Sequence, residues 1–433
     1  MRIAFISPHS VYYSRDPEFS EFWNSSKYNE LFRNCWSGLG TGLLVLAGLT
    51  PPGNDLELID ENIEEIDFSR QFDLVCVSAT TQQATRAYAI AEQFRKRGIT
   101  TVIGGIHPTV LPLEAKSHFD SVVLGEGETT WLQLLHDYQS GTLKPFYKSE
   151  DLFDLKDSPV PRYDLLKKCN PKIAWLQTTR GCPHDCEFCV ASKIFGSTYR
   201  LKSIDQIVHE IKEIRKQLGD VFIGFADDNI AVDKSFLSRL LKEIAPLHIR
   251  WFGQSDISIA NDETLLKMLF VSGCNFLLVG LESLSNKNLR EINTNLWKLS
   301  RSREYPSLIE KIQSAGIGVM GSFIFGFDHD DQSVFDTTTD FAIAHNLCLC
   351  NFSILTPYPG SRIRDRLAMD GRLLPTEWDN YTLWDVNFIP KNMSPEQLQN
   401  GLFMAYRKIL DGEVCINKAK YFKNLYKRLM EPA

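Results

Sequence analysis

Three cysteines stand at C-x3-C-x2-C spacing in the stretch Thr179-Arg180-Gly181-Cys182-Pro183-His184-Asp185-Cys186-Glu187-Phe188-Cys189. Thiolates are soft ligands, and three of them presented from one short loop suit an iron–sulfur cluster or a zinc ion. Structural zinc usually draws four ligands from paired C-x2-C knuckles, and no second pair is present in this chain. A cubane cluster usually takes four cysteines, so three leave one iron open to another ligand, which points to chemistry rather than support.

The elements that must position this loop follow from the flanking pattern. The apolar run Ile173-Ala174-Trp175-Leu176 reads as a strand ending where the loop begins. From 171 to about 370, six strand candidates alternate with helices: Ile173–Thr178, Val221–Phe225, Arg250–Gln254, Phe276–Gly280, Gly318–Phe325 and Asn351–Leu355. The spacing predicts a helix over 203–218, with Ile204, Ile207, Val208, Ile211, Ile214 and Leu218 on one face. Such alternation makes an α/β fold with a parallel sheet, and chemistry in barrels of this kind sits at the carboxyl ends of the strands. Those ends carry Asp227-Asp228-Asn229, then Gln254 and Asp256, then Gly280-Leu281-Glu282-Ser283. The plain alternative for each lone acid is a solvated helix cap.

The cysteine spacing, with an aromatic residue, Phe188, before the last cysteine, resembles the signature of the radical S-adenosylmethionine (radical SAM) superfamily. The resemblance implies a [4Fe-4S] cluster on Cys182, Cys186 and Cys189. Its open iron would chelate the amino and carboxylate groups of SAM, and one electron would cleave the sulfonium to a 5′-deoxyadenosyl radical. It also implies that the six units form a partial (β/α)6 barrel and that a flavodoxin or ferredoxin supplies the electron. SAM needs acceptors for its ammonium and ribose. Asp227 and Asp228 occupy the place of the family's Gly-Gly-Glu segment, which is absent as such. Glu282 lies where members contact SAM's polar groups, Gln254 at the neighbouring strand end is a further candidate contact to SAM, and Phe325-Gly326-Phe327 offers backbone, through Gly326, to adenine. Thr356-Pro357-Tyr358-Pro359-Gly360-Ser361 resembles a turn of the cobalamin-type members that aims Tyr358 at the substrate; a purely structural turn is the alternative.

Residues 1 to about 141 alternate short apolar runs (Arg2–Ile6, Leu56–Asp60, Leu74–Ser78, Thr101–Gly104, Ser121–Gly125) with helical patterns, which predicts a Rossmann-like parallel sheet. Small residues collect at the strand ends: Val77-Ser78, Gly104-Gly105-Ile106-His107-Pro108-Thr109 and Gly125-Glu126-Gly127-Glu128. Glycine lets backbone approach a bulky ligand closely, or simply closes a turn. Their joint order ahead of a cluster loop resembles the cobalamin-binding domain fused to many radical SAM cores. That resemblance implies a cobalamin held by Ser78, Gly104, Gly105, Gly125 and Glu126. The Asp-x-His-x-x-Gly loop of better-known cobalamin modules is replaced by Ser7-Pro8-His9-Ser10-Val11-Tyr12, so His9 is read as an ordinary loop residue. Gly38-Leu39-Gly40-Thr41-Gly42 lacks nucleotide-loop spacing and is read as a helix entrance.

Residues 142–170 carry Pro145, Pro159 and Pro161 among charges and read as a linker, ahead of a barrel at 171–370. The region 371–433 holds Trp378, Tyr381 and Trp384, which roof the barrel or fasten the tail to it. A helix start follows at Ser394-Pro395-Glu396. The 433 residues have 43% hydrophobic and 23% charged content, as in a globular protein of two or three domains, and a net charge of −7 disfavours nucleic acid. The amino terminus lacks a signal-peptide pattern and no run is long enough for a transmembrane segment, so a cytoplasmic protein is expected. Ten cysteines then argue for metal ligation or burial; Cys35, Cys76, Cys169, Cys274, Cys348, Cys350 and Cys415 read as small core residues rather than ligands of a second cluster.

The expectation is therefore a cobalamin-dependent radical SAM enzyme that methylates an unactivated centre of a small-molecule, lipid or natural-product substrate. The alternatives are a radical SAM cyclase, ring-contracting, oxidising or carbon–carbon coupling enzyme, and a non-catalytic cluster scaffold or redox sensor.

Overall fold

The computed structural model describes residues 1–10, 14–27, 40–292 and 296–430. Cys35, Gly38 and Leu39 of the readings above, and Val11 and Tyr12 of the first loop, lie outside them.

Two six-stranded parallel sheets make the molecule. The first has the order β2-β1-β3-β4-β5-β6, from β1 (Arg2–Ser7), β2 (Asp55–Asp60), β3 (Leu74–Ser78), β4 (Thr100–Gly104), β5 (Ser121–Leu124) and β6 (Phe146–Lys148). Five strands are those expected. The sixth comes from the segment read as a linker: Phe146–Lys148 pairs in parallel with Val122–Leu124, which corrects the reading of 142–170 as a mere connection. Three residues between turn signals are too short for a hydrophobic period to register. Side chains alternate across β1, so Ile3 and Phe5 join the core shared with the barrel while Ala4 and Ile6 pack with the helix Ala84–Arg95.

The second sheet runs in strict sequence order, interrupted by a hairpin. Its strands are β7 (Ile173–Leu176), β10 (Phe222–Phe225), β11 (Trp251–Ser255), β12 (Cys274–Glu282), β13 (Gly318–Phe325) and β14 (Leu349–Ile354), all parallel. It is the six-unit barrel expected, open between β7 and β14. The hairpin is β8 (Thr179–Arg180) against β9 (Arg200–Leu201), and it brackets the cysteine loop. The helix Ile204–Leu218 starts where periodicity placed it, with Ser203 and Gln206 forming a capping box. One residue of its inner face, Glu210, is charged; it is buried against Lys202 at 2.5 Å.

The tail fastens the two sheets together. The helix Pro395–Ile409 begins with a Ser394–Gln397 capping box and packs on the helix Ser333–Ala344. Phe403 stacks on Phe19 at 4.2 Å, so the helix Pro17–Ser25, although near the amino terminus, belongs to the tail's packing. The Tyr406 hydroxyl donates to the carbonyl of Phe352 in β14 at 2.7 Å and accepts from that residue's N–H and from the Trp384 indole, each at 3.0 Å. Trp378 donates to Glu114 of the first domain at 2.7 Å, and Asp385 accepts from the Ser14 hydroxyl and the Arg15 amide. Trp378 thus ties the tail to the first domain, a contact that neither reading of the tail aromatics, roofing the barrel or fastening the tail to it, anticipated. Among the described residues no helix is long and apolar enough to cross a membrane.

Candidate active site between the two sheets

The carboxyl ends of β3, β4 and β5 face the start of the barrel across a cavity of about 630 Å³. Ser78, Gly104, Gly105, Gly125 and Glu126 all line it. Gly105 is required there: its φ is +105°, and a Cβ would lie 2.8 Å from the Ala79 carbonyl. The other wall comes from the barrel and tail, including Val190 next to Cys189, Tyr358 and Trp384. Thr41 and Gly42, which open the helix Thr41–Leu49, also line it, whereas His9 does not and is exposed.

Beyond that wall lies the cysteine loop. Cys182, Cys186 and Cys189 form no disulfide, are partly accessible, and stand close enough to influence one another's ionisation. Burial pushes the Cys189 thiol up to about 11, with the charges of Cys186 and Asp228 acting in the same direction. Among the described residues no three His, Cys, Asp or Glu side chains are gathered to hold a single metal ion. Salt bridges pin the loop from outside: Asp185 pairs with Arg362, and Glu187 with Arg366 at 2.6 Å. Phe188 packs inward toward Phe327, with ring centroids 6.5 Å apart.

The acidic residues divide. Asp227 is fully buried and does not face the mouth; its carboxylate accepts from the amides of Thr178 and Thr179, both at 2.7 Å, and from the Thr178 hydroxyl. It ties β10 to the strand end that launches the cysteine loop, so its expected contact with SAM is corrected. Burial raises its pKa to about 6 against the pull of those bonds. Asp228, one residue on, points the other way and stays exposed, and Gln254 is half-buried at the next strand end. Glu282 ends β12 with φ of +62° at an irregularity in the ladder, and pairs with Lys298 at 3.0 Å. Burial disfavours the Lys298 charge, yet Glu282, Cys186 and Tyr305 hold its pKa above the ordinary value.

Lys298 escaped the sequence reading, as did the chain from Trp297, whose indole donates to His184 at 2.9 Å, to Asp256 beyond it. Trp297 and Lys298 sit on a short helix between β12 and β13 with no periodic signal to mark it. Asp256 is itself a cap, accepting from Ser258 and Asn229.

Three further expectations are corrected. The Gly326 amide donates to buried Asp330 at 3.0 Å and its Cα packs under Leu398, so it is not open to adenine. The Tyr358 hydroxyl donates to the Tyr381 carbonyl at 2.9 Å; the ring lines the cavity but the phenol is engaged. Glu126 lines the cavity, but its carboxylate is held by Arg180, Arg200 and the Phe153 amide rather than left for a ligand. Cys348 and Cys350 flank Leu349 at the opposite end of the barrel strands from the cysteine loop.

A parallel sheet with small residues at its carboxyl ends, facing an open six-stranded barrel with a three-cysteine loop, defines the class: a radical SAM barrel joined to a corrin-binding sheet. Comparison with known proteins agrees on both halves. Residues 176–342 match the radical SAM superfamily and residues 42–135 match the B12 binding domain. The chain is 32% identical to bacteriochlorophyllide d C-8(2)-methyltransferase of Chlorobaculum tepidum over 78% of each chain. It is 30% identical to the C-12(1)-methyltransferase of the same organism over 87% of this chain and 83% of that one. An anaerobic magnesium-protoporphyrin IX monomethyl ester cyclase of Rubrivivax gelatinosus is 24% identical over 98% of this chain and 78% of its own. The radical SAM methyltransferase TsrM of Kitasatospora setae shares the fold, with a TM-score of 0.63 at 17% identity over 85% of this chain and 76% of that one. The chain belongs to the B12-binding-domain radical SAM enzymes, and its cofactors are a [4Fe-4S] cluster, SAM and cobalamin.

Proposed function

We propose that this enzyme transfers a methyl group to an unactivated carbon of an apolar, planar substrate of the tetrapyrrole type. The observation that carries the reading is the likeness to two bacteriochlorophyllide d methyltransferases over most of both chains. When bound, the cluster with SAM supplies a radical and cobalamin supplies the methyl group, while the protein positions both and excludes water.

The residues present suit these groups. Cys182, Cys186 and Cys189 give three soft donors to the cluster and leave one iron for SAM. Asp228, Gln254 and Glu282 provide acceptors for the SAM ammonium and ribose, and Lys298 a donor for its carboxylate. Phe188 keeps the inner side of the loop apolar. Ser78, Gly104, Gly105 and Gly125 leave the space that a corrin needs. Trp131, Phe195 and Trp384 line the same cavity, giving it flat apolar walls where a planar substrate approaches. A one-electron carrier such as flavodoxin or ferredoxin is the expected reductant, and the cytoplasm the expected place.

The test is anaerobic turnover of reconstituted protein with hydroxocobalamin, SAM, a reductant and bacteriochlorophyllide d. The expected result is a product heavier by one methylene, with S-adenosylhomocysteine and 5′-deoxyadenosine both formed. A product oxidised or ring-closed without an added methyl overturns methyl transfer. It would favour the second reading, a radical cyclisation or oxidation, which the end-to-end alignment with a cyclase keeps specific.

A further inference from the structure

The hairpin β8–β9 places two arginines directly opposite one another, Arg180 against Arg200, at the base of the cysteine loop. Like charges in that relation repel. Both side chains are almost fully enclosed, so water does little to screen them. What separates them is a carboxylate from the other domain. Glu126 pairs with Arg180 at 3.1 Å and with Arg200 at 2.6 Å, and Glu128 takes the far side of Arg180 at 2.8 Å. Further donors go to Gln177, Phe153 and Phe195, and although the buried Arg200 Nε has no hydrogen-bond partner, these bonds leave the guanidinium groups little freedom to turn away. Glu126, Glu128 and Arg180 also line the cavity that takes the corrin, and Arg180 stands two residues before Cys182.

We propose that Glu126 is a positioning residue that couples corrin occupancy to the geometry of the cluster loop. The hairpin closes in its observed register only with a carboxylate between the two arginines, and that carboxylate sits on the loop whose glycines face the corrin. Binding at either site restrains the same buried knot, so each cofactor shifts the affinity for the other by the same factor. The inference rests on the cofactor pair and not on methyl transfer, so a product lacking a new methyl leaves it standing.

The experiment is an anaerobic titration of hydroxocobalamin, followed by absorbance, into cluster-free and cluster-reconstituted protein. The wild type should bind about fivefold or more tightly with the cluster present. Glu126→Gln removes the charge and keeps the shape; with an unchanged circular dichroism spectrum it should bind corrin equally in both states. Glu128→Gln, which leaves the carboxylate between the arginines intact, should retain the difference. If Glu126→Gln does not fold, Arg200→Gln takes its place, since it removes one arm of the bridge and leaves Glu126 neutralised by Arg180. A wild type whose corrin affinity ignores the cluster overturns the proposal. So does a folded Glu126→Gln, or Arg200→Gln in its stead, that keeps the full difference.

Discussion

Two six-stranded parallel sheets meet at one cavity, lined by the ends of β3, β4 and β5 of the first and by segments after β7 and β14 of the second, yet they furnish their carboxyl ends in opposite ways. The first sheet ends in small groups, Ser78, Gly104-Gly105 and Gly125, so its contribution is room for a large ligand brought in whole. The barrel ends in groups that bear or hold charge: three thiols, Asp228, and the Glu282–Lys298 pair. A preformed macrocycle asks for shape, whereas a zwitterion bound to iron asks for donors and acceptors. Two parallel sheets of different strand order thus serve two recognition problems, through what stands at the carboxyl ends of their strands.

The contrast can be broken one side at a time. The largest effect is expected from Cys186→Ala, which should abolish SAM cleavage and lower iron per chain while hydroxocobalamin still binds, with the affinity of cluster-free protein, by iron analysis, 5′-deoxyadenosine assay and absorbance titration. Gly105→Val is its mirror: backbone at φ of +105° strains any side chain, and the new methyls meet Ala79. Corrin affinity should drop by about tenfold or more, while iron content stays at the wild-type value. Lys298→Met leaves the Glu282 carboxylate unpaired at the barrel mouth. Calorimetric SAM affinity should fall about tenfold and urea stability by about 2 kcal/mol, with corrin binding unmoved. The smallest effect separates charge that fastens from charge that recognises. Burial would raise the Asp328 pKa, but Lys391, Arg372 and Arg366 hold it at about 2, below the unfolded value of 3.8. Its contribution is present above the unfolded value and lost as pH falls toward 2. Asp328→Asn should flatten the urea midpoint over that window, by at most about 1 kcal/mol because the group is partly screened by solvent.

Much of this arrangement was legible from residue order. The six barrel strands and five strands of the first sheet announced themselves because each is an apolar run between turn signals, and the cysteines because three thiols in one loop have few other uses. What was not legible is which way a side chain turns where a strand stops. Asp227 and Asp228 are neighbours in a run of acids, but in the loop beyond β10 one is fully buried and the other exposed. Long-range partners were equally invisible: nothing near Glu126 in the chain announces Arg180 or Arg200, and Gly326 looked available because Asp330 claims its amide only after a tight turn. Lys298 lies on a short helix with no repeat to mark it.

The Tyr406 hydroxyl, bonded to both the N–H and the carbonyl of Phe352, has a consequence for solution behaviour. An open barrel leaves an edge strand whose free backbone groups invite another chain to pair with it. On β14 one phenol takes the place of the missing neighbour, giving and receiving the two bonds that a paired residue would exchange, while its helix covers the strand. The helix Pro395–Ile409 is in this sense a sentry against self-association. Loosening it would cost the enzyme its monodispersity before its cofactors, because the edge it guards lies apart from the cysteine loop.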